Sequence, residues 1–348
     1  MKSVKDVFNS GLSNDMIVKV IALESKYRFM LSLDDLLKLL ESSDSEERSN
    51  AAQSLGLLHD ERAITPLLDA YKDSDDDIRF FIIDALGQIG GNSSLQYLIN
   101  LFEKSSEELT PAIATALGKI GDRQALNLLV DAAKSSNKNL RANAIWALGE
   151  IKDRKAISHI IQALEDKDTW VRYSAVRALG EFGDPEIMQP LIRALGDKES
   201  IVRSMSAKII GATGDKAAVD ALIGCLQDSD VIVKQEVIRS LGLLGDPKAI
   251  EILVSLLDDY AVNKEAAKAL TKFGQVALPA LLEAVRNNNS IVRWYAIFAI
   301  SEIGDLEILP VLEQIKSDDT GMVAGGAKVK DAAAKAIMRI NKKTLEAN

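Results

Sequence analysis

Residues 171–184 read VRYSAVRALGEFGD, and the stretch 31 residues earlier, 140–153, reads LRANAIWALGEIKD. When such stretches are aligned, one position holds Leu or Ile, and we call this position the key column. It recurs at steps of 31 residues through seven copies and then at steps of 29 and 30. The column consists of Leu55, Leu86, Leu117, Leu148, Leu179, Ile210, Leu241, Leu270 and Ile300. Self-similarity at a fixed period of this size is typical of repeat architectures, so the sequence predicts an array of small structural units.

Each copy contains the pattern of a helix, a turn and a second helix. Val171, Ala175 and Leu179 recur at helical spacing and predict one buried helix face. Gly183 predicts the end of that helix, because glycine enters the left-handed region freely. Asp184 then predicts the cap of a second amphipathic helix. Each unit is therefore predicted to be two antiparallel helices joined by a tight turn.

Composition limits the classes of function. The chain is 47% hydrophobic and 27% charged, which favours a folded core over disorder. Its net charge of −9 disfavours nucleic-acid or anionic-membrane binding. One Cys and two His offer no disulfide framework and no clustered metal site. The longest apolar run, Trp294 to Ile300, is too short to span a bilayer. We expect a cytoplasmic protein without a metal, a cofactor or catalytic residues.

The repeated pattern VRxxAxxALGxxGDxxA resembles the HEAT-like repeats of the phycobilisome-lyase type over residues 42–315. The resemblance implies an all-α, right-handed solenoid of about nine helix pairs, with the Arg-bearing helices lining its concave side. It divides the chain into an N-terminal helical cap at 1–41, a repeat array at 42–315, and a flexible loop with a C-terminal capping helix at 316–348. The final helix is predicted from about Val329 to Ile340.

The resemblance also implies a ladder of ion pairs between neighbouring repeats, built from an Arg column and an Asp column. Partly buried carboxylates and guanidinium groups need such partners. We expect Asp184 to pair with Arg172 of its own repeat or with Arg203 of the next one. The predicted ladder residues are Arg48, Asp60, Arg79, Asp122, Arg141, Asp153, Arg172, Asp184, Arg203, Asp215, Asp246, Arg293 and Asp305.

The remaining positions on the Arg-bearing helices are not needed by the repeat and are predicted to face the concave groove. They hold all three Trp residues, and clustered exposed aromatics typically mark an interaction surface. The predicted partner-binding groove consists of Phe80, Phe81, Trp146, Trp170, Tyr173, Arg177, Ile201, Met205, Lys208, Arg239, Trp294, Tyr295 and Phe298, and Val231, Ile232 and Tyr260 extend it. The alternative is that neighbouring helices pack these rings along the inner edge of the core.

The sequence therefore favours a non-enzymatic scaffold or adaptor that binds a protein segment in this groove. Later repeats carry a basic column, so the expected partner is an acidic segment with apolar anchors; the column is Arg177, Lys208, Arg239 and Lys268. An alternative implied by the resemblance is a bilin lyase-type or chromophore-handling subunit. A DNA glycosylase built on HEAT-like helices is a further alternative, which the net charge disfavours.

Overall fold

The computed structural model describes residues 31–323 and 325–347. In this part of the chain the regular structure is α-helix with short 3-10 turns, apart from an isolated β-bridge between Met322 and Lys328. The chain divides into two compact units. The first ends at Ala163 and the second begins at Leu164. The predicted N-terminal cap lies outside the described residues up to position 30.

The first unit contains helices α1 to α9, of which α4, α6 and α8 carry the Ala-Leu-Gly signature and α2 carries Ser-Leu-Gly in its place; these four helices pack one against the next. Each of these first helices is followed by the second helix of its pair. The helices are α1 Leu33–Leu40, α2 Ser45–Leu58, α3 Ile64–Asp73, α4 Asp76–Ile89, α5 Gly91–Phe102, α6 Thr110–Ile120, α7 Leu126–Ala132, α8 Lys138–Ile151 and α9 Ile157–Ala163.

The second unit repeats this arrangement with α10, α12, α14, α16 and α18 as the first helices of five further pairs. Its helices are α10 Thr169–Leu179, α11 Met188–Ala194, α12 Ser200–Thr213, α13 Val219–Gly224, α14 Val231–Leu244, α15 Ile250–Ser255, α16 Asn263–Thr271, α17 Leu278–Ala284, α18 Ser290–Ile303, α19 Leu309–Asp318 and α20 Val329–Ala347. Helix α20 begins at Val329 as predicted but continues past Ile340, and it packs against α18 and α19. The predicted all-α solenoid of helix pairs is confirmed.

The key Leu or Ile column forms the centre of the core. Each of its nine side chains is 1% exposed or less. The glycine that follows it explains the Ala-Leu-Gly signature: a Cβ on Gly242 would lie 2.9 Å from the Cα of Ala269, and one on Gly211 would lie 2.7 Å from the Cα of Ser240. These glycines therefore let the carboxyl ends of successive first helices approach closely.

The turn follows the predicted chemistry in most pairs, but not between α10 and α11, where the prediction for Gly183 and Asp184 is wrong: α10 ends at Leu179, Gly183 does not take a positive φ, and the Asp184 side chain does not cap the turn that follows. Gly121 and Gly245 end their helices in the left-handed region, with φ of 70° and 61°. His59 and Lys152 take the same conformation at the equivalent positions. The Asp that follows accepts a hydrogen bond from the backbone N–H two residues further on, which confirms its predicted capping role. This cap is present at Asp60, Asp122, Asp153, Asp215, Asp246 and Asp305.

Candidate functional site

In the second unit, two linked ion pairs join the amino ends of α10 and α12 to the loop before α14. Arg172 donates two hydrogen bonds to the carboxylate of Asp197, at 2.7 and 2.9 Å, and a third to the backbone oxygen of Asp166. Arg203 donates in the same way to Asp228, at 2.6 and 2.8 Å, and to the backbone oxygen of Asp197. Asp197 thus binds two successive arginines, and the contacts fix α10, α12 and the loops beside them.

This arrangement corrects the predicted ladder. Arg172 and Arg203 bind carboxylates 25 residues further along the chain, in the loop before the next first helix, and not the Asp184 column. The reason is distance along the helix. Arg172 lies in the first turn of α10, whereas Asp184 follows its last turn, which separates them by at least about 10 Å of helix. Arg172 and Arg203 therefore join neighbouring repeats, whereas most members of the Asp184 column cap the turn before the second helix.

The observed acceptors have a signal in the sequence that the predicted ladder did not include. Asp166, Asp197 and Asp228 all lie 13 residues before the key Leu or Ile of their repeats. The same type of contact recurs at the end of the array, where Arg293 donates to Asp319 at 2.6 and 2.9 Å.

These contacts shift the pKa of the acceptor carboxyls. The hydrogen bonds from Arg203 lower the pKa of Asp228, and those from Arg293 lower the pKa of Asp319. For Asp197, burial acts to raise the pKa, but the hydrogen bonds from Arg172 and from a backbone N–H outweigh it and the pKa is lowered. A lowered carboxyl pKa in the folded state means that the ionised form is bound more tightly by folding.

Replacing Arg203 with Met is therefore expected to destabilise the second unit by about 1–3 kcal/mol at neutral pH, because the Asp228 carboxylate loses its charged donor. The contribution is present above the pKa of an unfolded Asp, about 3.9, and is lost as the pH falls through the lower folded value. The gap in urea midpoint between the wild type and the variant should narrow over that acidic range. A gap that stays constant on acidification would show that the ion pair is not its source.

The predicted groove residues all lie outside the buried core. Six of the thirteen are exposed: Phe80, Trp170, Arg177, Ile201, Lys208 and Arg239. The other seven are half-buried: Phe81, Trp146, Tyr173, Met205, Trp294, Tyr295 and Phe298. Trp146 belongs to the first unit, whereas Trp170, Tyr173, Arg177, Met205 and Lys208 belong to the second.

The two aromatic groups in the first unit differ in their surroundings. Phe80 and Phe81 of α4 meet edge to face at 5.9 Å, and Phe80 is 51% exposed beside the exposed carboxylate of Asp76. Trp146 of α8 packs against the neighbouring helix α6, since its ring lies 3.0 Å from where a Cβ on Gly118 would stand. Trp146 therefore follows the alternative in which neighbouring helices pack the ring.

The second unit carries a line of exposed apolar side chains that we call the apolar row: Trp170, Ile201, Ile232 and Tyr260. Trp170, Ile201 and Ile232 occupy the same position in the first turns of α10, α12 and α14, and Tyr260 lies in the turn before α16. Their exposures are 58%, 38%, 65% and 71%. Tyr173 packs against Trp170, the first residue of the row, and the two rings meet edge to face at 5.6 Å. The row follows four consecutive first helices.

Parallel to the apolar row lies the basic row, which consists of Arg177, Lys208, Arg239 and Lys268. All four are exposed, and each lies near the carboxyl end of its first helix. Arg239 forms an ion pair with Glu236. Within the described residues, no ion pair joins Arg177, Lys208 or Lys268 to a carboxylate. Because Arg177 follows Trp170 by seven residues, the two rows are two helical turns, about 10 Å, apart on one face.

The other reactive groups give no sign of a catalytic centre. Burial raises the pKa of the Cys225 thiol, which makes it a poor nucleophile at neutral pH. Over residues 31–323 and 325–347, no group of three His, Cys, Asp or Glu side chains is placed to hold a metal ion. None of the helices in that part of the chain is long and apolar enough to cross a bilayer.

Comparison with known families identifies the repeat. A family model for HEAT repeats matches residues 33–112, 98–160, 157–232, 188–261, 225–293 and 258–337. The chain belongs to the HEAT-repeat family. No curated protein sequence matches it.

Two karyopherin structures show the same fold at low sequence identity. Kap95p, in a study of its binding to RanGDP, is 14% identical, with a TM-score of 0.54 over 88% of this chain and 50% of its own. Kap121p bound to the extreme C-terminus of the protein phosphatase Cdc14p is also 14% identical, with a TM-score of 0.54 over 88% and 44%. The CpcE and CpcF complex of phycocyanin lyase from Nostoc sp. PCC7120 is 24% identical, with a TM-score of 0.39 over 62% and 94%. This chain spans about half the length of each karyopherin.

Proposed function

We propose that this protein is a non-enzymatic scaffold whose second unit binds an acidic protein segment along the apolar row and the basic row. The observation that carries the proposal is the repetition of an exposed apolar side chain at one helix position in three consecutive repeats, at Trp170, Ile201 and Ile232. Single exposed apolar residues are ordinary on protein surfaces, but a contiguous set is typical of an interaction site.

The surface that carries the rows is held rigidly at both ends. At the amino ends of α10 and α12, Arg172 and Arg203 tie the helix to the loop before the next first helix. At the carboxyl ends, Gly211 and Gly242 pack directly on the neighbouring backbone. A surface fixed in this way loses little conformational freedom when a ligand binds, so more of the contact energy appears as affinity.

Charge favours an acidic ligand. Arg177, Lys208 and Lys268 have no carboxylate partner in the part of the chain that the structure describes, so they are available to a ligand. A Trp and an Arg on one face are the residue types that most often dominate protein interfaces. Four cations on a chain with a net charge of −9 suit a short acidic segment better than a long polyphosphate backbone.

The HEAT-repeat fold is compatible with a segment as ligand. Kap121p, which shares the fold, has been solved with the extreme C-terminus of a phosphatase bound to it. This supports a linear protein segment as the class of ligand, while the apolar and basic rows of this chain select its chemistry.

The test is a selection from random 12-residue peptides displayed on a particle, carried out with the wild-type protein. Selected peptides are expected to be acidic with two or more apolar residues. Their affinity should fall at least tenfold for the double variant Arg177→Glu, Lys208→Glu, and should not change for Arg193→Glu on α11. Selection of neutral or basic peptides, of no peptide, or of peptides that bind the double variant equally well would contradict the proposal.

A further inference from the structure

We infer that the bound segment is extended in a polyproline II-like conformation, with an apolar residue at every third position and acidic residues between them. The inference rests on the proposed function and specifies the ligand of that same surface. It places the segment across the first helices, from Trp170 on α10 to Tyr260 before α16.

The spacing of the helices selects this conformation. Packed helices lie about 8–10 Å apart, and the contacts at Gly211 and Gly242 place these helices close together. A polyproline II chain has three residues per turn and a rise of about 3.1 Å, so equivalent side chains recur at about 9 Å. The two-residue period of a β-strand gives about 6.7 Å. One turn of an α-helix gives about 5.4 Å. Seven residues of an α-helix give about 10.5 Å, slightly above the spacing of packed helices. Of these periods, the three-residue period of polyproline II lies within the range for one step of the array.

The separation of the two rows fits the same conformation. The apolar and basic rows run in parallel about 10 Å apart, as the seven residues between Trp170 and Arg177 require. A chain with three residues per turn has three faces. One face can meet the apolar row and the next can direct a carboxylate toward the basic row, where flexible Arg and Lys side chains span the remaining distance. The third face points to solvent.

The chain itself contacts the amino end of the last first helix. After α19, Asp319 has φ −77° and ψ 120°, close to polyproline II values, and its carboxylate pairs with Arg293 of α18. Three residues later, the backbone oxygen of Met322 accepts a hydrogen bond from the Ser290 hydroxyl at 2.6 Å. Ile291, which is equivalent to Trp170, is only 9% exposed.

Two consequences follow from this internal segment. The amino end of α18 is already occupied by the chain, so the open surface ends at Tyr260. A ligand with an anchor for each of the four members of the apolar row then needs about ten residues from its first anchor to its last, at three residues per step.

The experiment uses a fluorescein-labelled peptide with four Leu-Pro-Glu repeats and a control peptide of the same composition with Leu at every second position. Anisotropy titrations of the full chain are expected to give at least tenfold tighter binding for the period-three peptide. Ile232→Ala should weaken that binding about tenfold, whereas Val276→Ala, which truncates a similarly exposed side chain outside the rows, should not.

Equal or tighter binding of the control peptide would overturn the inference, and so would binding that is insensitive to Ile232→Ala. If neither peptide binds while the random selection yields acidic peptides of another spacing, the inference is wrong and the proposed function stands. If the selection yields no acidic peptide, both are wrong.

Discussion

The backbone amides of α14 are expected to lose about 2–5 kcal/mol of protection against hydrogen exchange when Leu241 is replaced by Ala. Leu241 is 1% exposed and belongs to the key column of the core. Its truncation removes buried apolar contacts and leaves a cavity that rigid neighbouring helices cannot fill. Because each repeat contacts chiefly its neighbours, the loss should be largest in α12, α14 and α16 and should decrease toward α20.

The matched control is Leu243→Ala, two residues further along the same helix. Leu243 is 58% exposed, so the same truncation should change protection by less than about 0.5 kcal/mol. Similar losses for the two variants would show that the assigned face of α14 is wrong.

Replacing Trp170 with Ala is expected to weaken binding of the tightest selected acidic peptide about thirtyfold, or about 2 kcal/mol. The indole is the largest apolar surface in the apolar row, and Tyr173 packs against its edge. Because the side chain is 58% exposed in the free protein, its removal should leave the helical circular dichroism signal and the melting temperature nearly unchanged.

Titration calorimetry of the wild type, Trp170→Ala and Val276→Ala measures this effect. Val276 matches the exposure of Trp170 at 58% but lies in the turn before α17, so its truncation should leave the affinity unchanged. A change of less than threefold for Trp170→Ala, or unfolding of that variant, would exclude Trp170 as an anchor.

The sequence predicts the fold well because the residues that the fold requires recur at equivalent positions in many copies of the repeat. A buried Leu, a glycine that faces the next helix and an Asp that caps the second helix recur in most copies, so chance substitutions such as His59 do not obscure the pattern. The helix pairs and the C-terminal helix that begins at Val329 could therefore be predicted from the sequence.

Contacts between repeats were harder to predict. The sequence indicated that Arg172 needs an acidic partner, but two Asp columns recur with the same period, and only helix geometry shows that Asp197 is within reach and Asp184 is not. The exposure of individual aromatics was equally inaccessible. Trp146 packs against Gly118 because of the space above a glycine in the preceding repeat, whereas Trp170 stays exposed.

The most direct test of the account is a charge swap between the basic row and the ligand. The wild type and the double variant Arg177→Glu, Lys208→Glu are each titrated with the tightest selected acidic peptide and with its copy in which every acidic residue is lysine, at about 50 mM salt, where surface charges are weakly screened. If the basic row binds the carboxylates of the ligand, the wild type prefers the acidic peptide at least tenfold and the double variant prefers the lysine peptide. An unchanged preference for the acidic peptide in the double variant would contradict this role of the basic row.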